Sequence, residues 1–126
     1  MPGEKALLRI AGVSAIVGSI LFFGLVLVKP GTDWKTEPEA FLQMTAESNR
    51  WVGVHIGLIF AGLLIVGGLT GLYRSITSGA SAVWARLGFA TVLVGTSVLL
   101  VYLGTYGIAF PQVAEGWVNA SEVDKA

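Results

Sequence analysis

Residues Trp51–Tyr73 read WVGVHIGLIFAGLLIVGGLTGLY, a run without a single formal charge. A helix rises about 1.5 Å per residue, so this run is long enough to cross a hydrocarbon core of roughly 30 Å. Two similar stretches flank it, Ile10–Val28 and Leu87–Phe110, and neither contains Asp, Glu, Lys or Arg. The runs are too long for strands and lack polar alternation, and a barrel would need many more segments to close. A soluble protein of 126 residues lacks the polar shell to cover three such stretches. The expected fold is an all-α membrane protein, with three transmembrane helices in an antiparallel bundle and a short interfacial helix in the first loop.

Composition supports this reading. Charged residues make up 13% of the chain, about half the share of roughly 25% in a soluble domain. The formal net charge is zero, which argues against nucleic acid as a partner, since such binders present a basic face. There is no cysteine. Disulfides, zinc–thiolate sites, iron–sulfur clusters and thiol catalysis are thereby excluded together.

The chain reads as a single transmembrane domain over residues 1–126. The first span is expected at about 6–28, with Arg9 at its entry, where a long side chain can reach the headgroups. Lys29-Pro30-Gly31 ends it, because proline cannot continue the hydrogen-bond ladder. Its apolar run is too long for the core of a signal peptide, and no small-x-small cleavage site follows, so a retained helix is expected. The second span is expected at about 51–73 and the third at about 82–110, ending at Pro111. The Ser/Gly-rich link between them is short enough to make them antiparallel neighbours.

The first loop carries Thr36-Glu37-Pro38-Glu39. Thr36 is placed to cap a helix, Glu39 to reach back three residues later, and Pro38 to sit in the first turn. A short helix within about 36–48 follows, with an apolar face of Phe41, Leu42, Met44 and Thr45. It is expected to lie along the membrane surface or to cap the bundle.

Basic residues divide evenly between the two sides: Lys5, Arg9, Arg74 and Arg86 against Lys29, Lys35, Arg50 and Lys125. The first segment dominates orientation, and Arg74 and Arg86 abut span ends without acidic neighbours. The N-terminus is therefore expected in the cytoplasm and the C-terminus outside, in a layout like that of small multi-pass proteins of prokaryotic cell membranes. Trp34, Trp51, Tyr106 and Trp117 would form the outer aromatic belt, and Tyr73 and Trp84 the inner one. The tail, 111–126, carries Ser121 followed by acids, which reads as a capped helix beginning and leading towards a fourth span. Its sequon, Asn119-Ala120-Ser121, is a three-residue pattern that recurs by chance.

Two features bear on function. Glycines and alanine at Gly53, Gly57 and Ala61 leave one edge of the second span nearly bare, and Gly88 and Gly95 do the same on the third. Such edges let helices approach closely, either within the chain or in an oligomer. The second feature is His55, the only histidine, one turn inside the second span. It is the sole candidate for a cofactor contact, with haem or quinone as the group it would serve. A bis-histidine haem needs a second histidine, and a metal needs three or four ligands, which the spans do not supply. Hydrogen bonding to a Tyr or Thr hydroxyl of the third span, or to water, is the simpler expectation.

The spans contain no carboxylate or cation of the kind proton- or ion-coupled transporters place at midplane. No nucleophile–base–carboxylate arrangement can be assembled within them either. The expectation is a non-enzymatic accessory or structural subunit of a membrane assembly, with the lipid bilayer and a second copy or a larger membrane complex as partners. Neither cofactor nor metal is expected. A redox component using His55 is the first alternative, and a transporter or channel subunit the second.

Overall fold

The computed structural model describes residues 2–29, 31, 35–76 and 78–120. They form α1 (Pro2–Val28), α2 (Pro38–Glu47), α3 (Asn49–Ser75), α4 (Gly79–Gly104) and α5 (Phe110–Asn119), the last two joined by a π-helical turn over Thr105–Ala109. Three helical stretches are long and apolar enough to cross a membrane: Lys5–Val28, Asn49–Ser75 and Gly79–Asn119. The fold is all-α, and these spans pack as antiparallel neighbours.

The centre of the row is α3, with α1 on one side and α4 on the other. Its contacts with α1 are made almost without side chains. Ala11 meets Gly71, Ala15 meets Gly68, and Gly18 meets Ala61 and Leu64. As one number rises the other falls, so the two helices run antiparallel. A Cβ on Gly18 would stand 2.9 Å from the Ala61 carbonyl oxygen, and one on Gly68 would stand 2.8 Å from that of Ala11. Only glycine lets the backbones come this close, and dispersion between them replaces the hydrophobic effect that lipid cancels. Further along, Phe22 and Leu25 of α1 converge with Val54, Leu58 and Ile59 of α3 and with Leu99 and Leu103 of α4. Here all three spans share a core.

The link between α3 and α4 is only Ile76–Ser78. Gly79 takes φ +72°, a conformation costly for any residue with a Cβ, and this reverses the chain. Tyr73 stacks on Phe89 just beyond the turn, at 4.7 Å between centroids. Ser19, Thr70, Thr91 and Ser97 each donate to the carbonyl four residues back. Their hydroxyls are thereby satisfied within their own helices, as apolar surroundings require.

The structure departs from the sequence reading at three places. First, the third long helix does not stop at Pro111. It continues through the π-turn and α5 to Asn119, 41 residues from Gly79. At 1.5 Å per residue this is about 60 Å, twice the hydrocarbon thickness, so part of it must project beyond the core. Secondly, α2 starts from Glu37 rather than Thr36, and no side-chain cap bond is made there; the first turn closes through Phe41 N–H to the Glu37 carbonyl at 3.0 Å. Pro38 does stand in that first turn. Thirdly, Trp51 does not belong to an exposed belt: it is wholly buried. Trp34 and the tail from Ser121 lie outside the described residues.

Candidate functional site

At the end of the row away from the α3–α4 link, polar and aromatic groups from α2, α3 and the π-turn gather into one cluster. Three local features position them. Ser48 alone separates α2 from α3, in an extended conformation (φ −81°, ψ 99°), and its carbonyl accepts from Trp51 N–H at 3.0 Å. This corner folds α2 back over the bundle, so that Phe41 meets Trp51 edge-on at 5.8 Å and Phe110 at 5.9 Å. In its second feature, α1 ends just before Lys29, whose ammonium lies 5.1 Å from the Trp51 ring centre and 4.9 Å from that of Tyr106. Both distances are within cation–π range.

The third feature is the π-turn. Phe110 N–H donates to the Thr105 carbonyl, five residues back instead of four. The next bond in this pattern would run from residue 111 to the Tyr106 carbonyl, but Pro111 has no N–H. Trp51 supplies the missing donor: its indole Nε1–H donates to the Tyr106 oxygen at 3.2 Å. A proline that would be costly in a regular helix is accommodated because a tryptophan from the neighbouring helix satisfies the carbonyl it leaves open.

His55 lies directly beneath. It is wholly buried, its ring 4.8 Å from that of Trp51 and 5.8 Å from that of Tyr106. Gly107 packs against its Cβ and ring so closely that no side chain fits there. Nδ1 is 2.8 Å from the Trp51 carbonyl oxygen. A carbonyl only accepts, so Nδ1 carries the hydrogen, and in the neutral ring Nε2 then holds a lone pair. Nε2 is buried and has no hydrogen-bond partner among the described residues. The expected hydroxyl from the third span does not reach it.

Lys29 stands outside the spans, and burial lowers the pKa of its ammonium from the usual 10.5. The ammonium is also near enough to His55 to interact with it electrostatically. On the other side of Tyr106 a groove of about 460 Å³ is lined by Pro38, Phe41, Leu42, Tyr102, Tyr106 and Phe110. No group of three His, Cys, Asp or Glu side chains able to hold a metal occurs among the described residues.

The small residues singled out in the sequence do not behave as one set. Gly57 abuts Leu25 of α1, and Ala61 is wholly buried against the same helix. Gly53, Gly88 and Gly95 have nothing within 4 Å of where a Cβ would stand. Of the residues that make the closest approaches, Gly71 belongs to the small-residue set of the second span, whereas Gly68 and Gly107 carried no sequence signal; Tyr106 was expected at the depth of His55, but Lys29 was missed as its neighbour. One signal was present: Pro111 stands five residues after Tyr106, the spacing at which a π-turn leaves a carbonyl free.

Comparison with known proteins yields no relative: no family model matches the chain, no curated protein matches it, and no solved structure does.

Proposed function

We propose that this chain is a non-enzymatic accessory or structural subunit of a membrane assembly, acting through its α4 face with a second copy or a larger complex. The observation that supports this is how little of α4 is used within the chain. Burial within the chain is lowest along the Gly79–Asn119 stretch, at 6% of its apolar part, against 11% for Lys5–Val28 and 28% for Asn49–Ser75. Gly88 and Gly95, with Thr91 between them on the same face, meet nothing from α3. Val83, Leu87, Val94, Val98 and Val101 are all more than half exposed.

The accessible surface points the same way. It amounts to 8674 Å², whereas a compact soluble monomer of this mass would expose roughly 6,400 Å². Lipid can cover the excess. Small residues on the uncovered face make it suited to another helix as well, since they allow the close approach on which association in membranes depends.

The absence of cysteine makes the test clean. Gly95→Cys and Ile16→Cys, the latter on the exposed outer face of α1, are each oxidised in native membranes and resolved by mass. The expected result is a discrete adduct from the α4 position and little from α1. If the α4 thiol forms none, and the protein has monomer mass when extracted with its native lipid, the assembly role is wrong. Solute-specific flux through vesicles holding only this chain would favour the transport reading instead.

A further inference from the structure

We propose that His55 and Lys29 form the headgroup site for a membrane-soluble hydroquinone, whose tail lies along the aromatic groove of α2 and the π-turn. Each part of the ligand answers a feature at this end of the bundle. His55 Nδ1 is committed to the Trp51 carbonyl at 2.8 Å, which leaves Nε2 of the neutral ring as a buried acceptor with no partner among the described residues. An acceptor in this position calls for an O–H donor. Lys29 offers the opposite polarity. It has N–H groups to donate, and its ammonium rests on the faces of Trp51 and Tyr106.

Both groups adjoin the flat rings of Trp51 and Tyr106, and Tyr106 also lines an apolar groove of about 460 Å³. A ligand that fits carries a hydroxyl for Nε2, an oxygen for the ammonium, a planar ring to lie against Trp51 or Tyr106, and an apolar tail. A hydroquinone has all four. A quinone has acceptors only, so it satisfies Lys29 and leaves Nε2 unpaired. A fatty-acid carboxylate likewise answers the cation but brings no hydroxyl to the imidazole, and a phosphatidylglycerol headgroup, which has hydroxyls, brings no planar ring to lie against Trp51 or Tyr106.

Nε2 is closed off from the surface, so a headgroup must displace something to reach it. The Lys29 side chain is suited to move. Its flexible four-carbon stem carries the cation to the rings of Trp51 and Tyr106, and an incoming aromatic ring would take over the faces it covers. Binding is all that is proposed, with no electron transfer, and the site is separate from the α4 face.

The experiment uses the full chain in nanodiscs of zwitterionic phosphatidylcholine, titrated calorimetrically with a short-chain benzohydroquinone under anaerobic reducing conditions. The corresponding benzoquinone is titrated in parallel. The expected result is saturable binding of the reduced form, at least tenfold tighter than the oxidised form. His55→Leu should weaken the reduced form at least tenfold and erase the difference between the two. His55→Gln, which returns an acceptor, should recover part of it. Lys29→Met should weaken both forms alike. Non-saturable partitioning, equal affinity for both forms, or hydroquinone binding indifferent to His55→Leu would each overturn the proposal. So would tight binding of phosphatidylglycerol in a chain that ignores hydroquinone. The redox-form comparison on the unaltered chain decides the matter even if a His55 variant does not fold. Cross-linking through α4 and this titration read different surfaces, so either can fail alone.

Discussion

Along the α1–α3 seam, Ala11, Ala15 and Gly18 meet Ala61, Gly68 and Gly71 with almost no side chain between the backbones. At the far end of α3 the space is filled instead by Phe41, Trp51, His55, Tyr106 and the Lys29 ammonium. The seam is held by shape alone. Its residues have no polar side-chain atom to satisfy and nothing to offer a ligand. The aromatic end depends on a chain of hydrogen bonds, from Trp51 to the Tyr106 carbonyl and from His55 to the Trp51 carbonyl, and among the described residues that chain stops at His55 Nε2. Small residues and apolar contact suffice to bring these helices together; a histidine with a free acceptor is not needed for that. The comparison separates what assembles the spans from what is left available for chemistry.

The largest effect that would break this comparison lies in the seam. Gly68→Val puts a branched side chain against Ala15 and the Ala11 carbonyl, where backbone, not a flexible tip, stands in the way. It should destabilise the fold by about 3 kcal/mol, measured as reversible unfolding in mixed micelles. If α1 shifted without cost, the seam would not be the close-packed contact described.

At the aromatic end the loss should be smaller and of a different kind. Trp51→Phe keeps a ring but removes the indole donor, which strands the part-buried Tyr106 carbonyl at a cost of about 1 kcal/mol. Pro111→Ala should return an N–H at the position a π-turn requires. In the double variant the two changes should therefore couple, with the pair milder than the sum of the singles by about 1 kcal/mol. Strict additivity would mean that the Trp51 bond and the missing proline N–H are unrelated.

This pair of residues also shows where sequence reading stops. The three spans were legible because absence of charge over a length fixed by the bilayer is a one-dimensional signal. The short α2 was legible from Pro38, whose preference for a first turn is local. Pro111 was misread for the same reason. Locally it is a helix stop, and only a tryptophan 60 positions earlier in the chain makes it an interior residue. Trp51 was misplaced in a belt because an amphipathic ring at a span end usually faces the headgroups, and what buries it is α2 folding back at Ser48. His55 was visible as the one histidine. That Nδ1 is taken and Nε2 is free depends on helix geometry and on Gly107, neither of which has a sequence signature.

Glycines of the same span differ in the same way. Gly53 has open space around it while Gly68 has none, although both are glycines of α3. Gly53→Ala should stabilise the chain by roughly 0.5–1 kcal/mol, the usual gain on removing glycine's freedom from a helix, with no change in packing. A loss of similar size in the same unfolding assay would show that Gly53 faces a neighbour after all, which would make it part of an intermolecular contact.

The smallest effect concerns Lys29, and its sign follows from burial. Desolvation lowers the pKa of this ammonium in the folded chain below the ordinary 10.5. Between the folded and unfolded values, the unfolded chain binds more protons, so stability rises with pH across that window. Below the window both states are charged and the desolvation cost is present in full; above 10.5 both are neutral and it has vanished. Lys29→Met removes the titrating group, so its unfolding free energy should lack this upward slope, while its value at neutral pH also lacks the cation–π contacts to Trp51 and Tyr106. The difference between the two pH profiles isolates Lys29, because the two proteins differ at that position alone. Parallel profiles would place the ammonium in water rather than against the rings, and would remove one of the two polar groups on which the hydroquinone site depends.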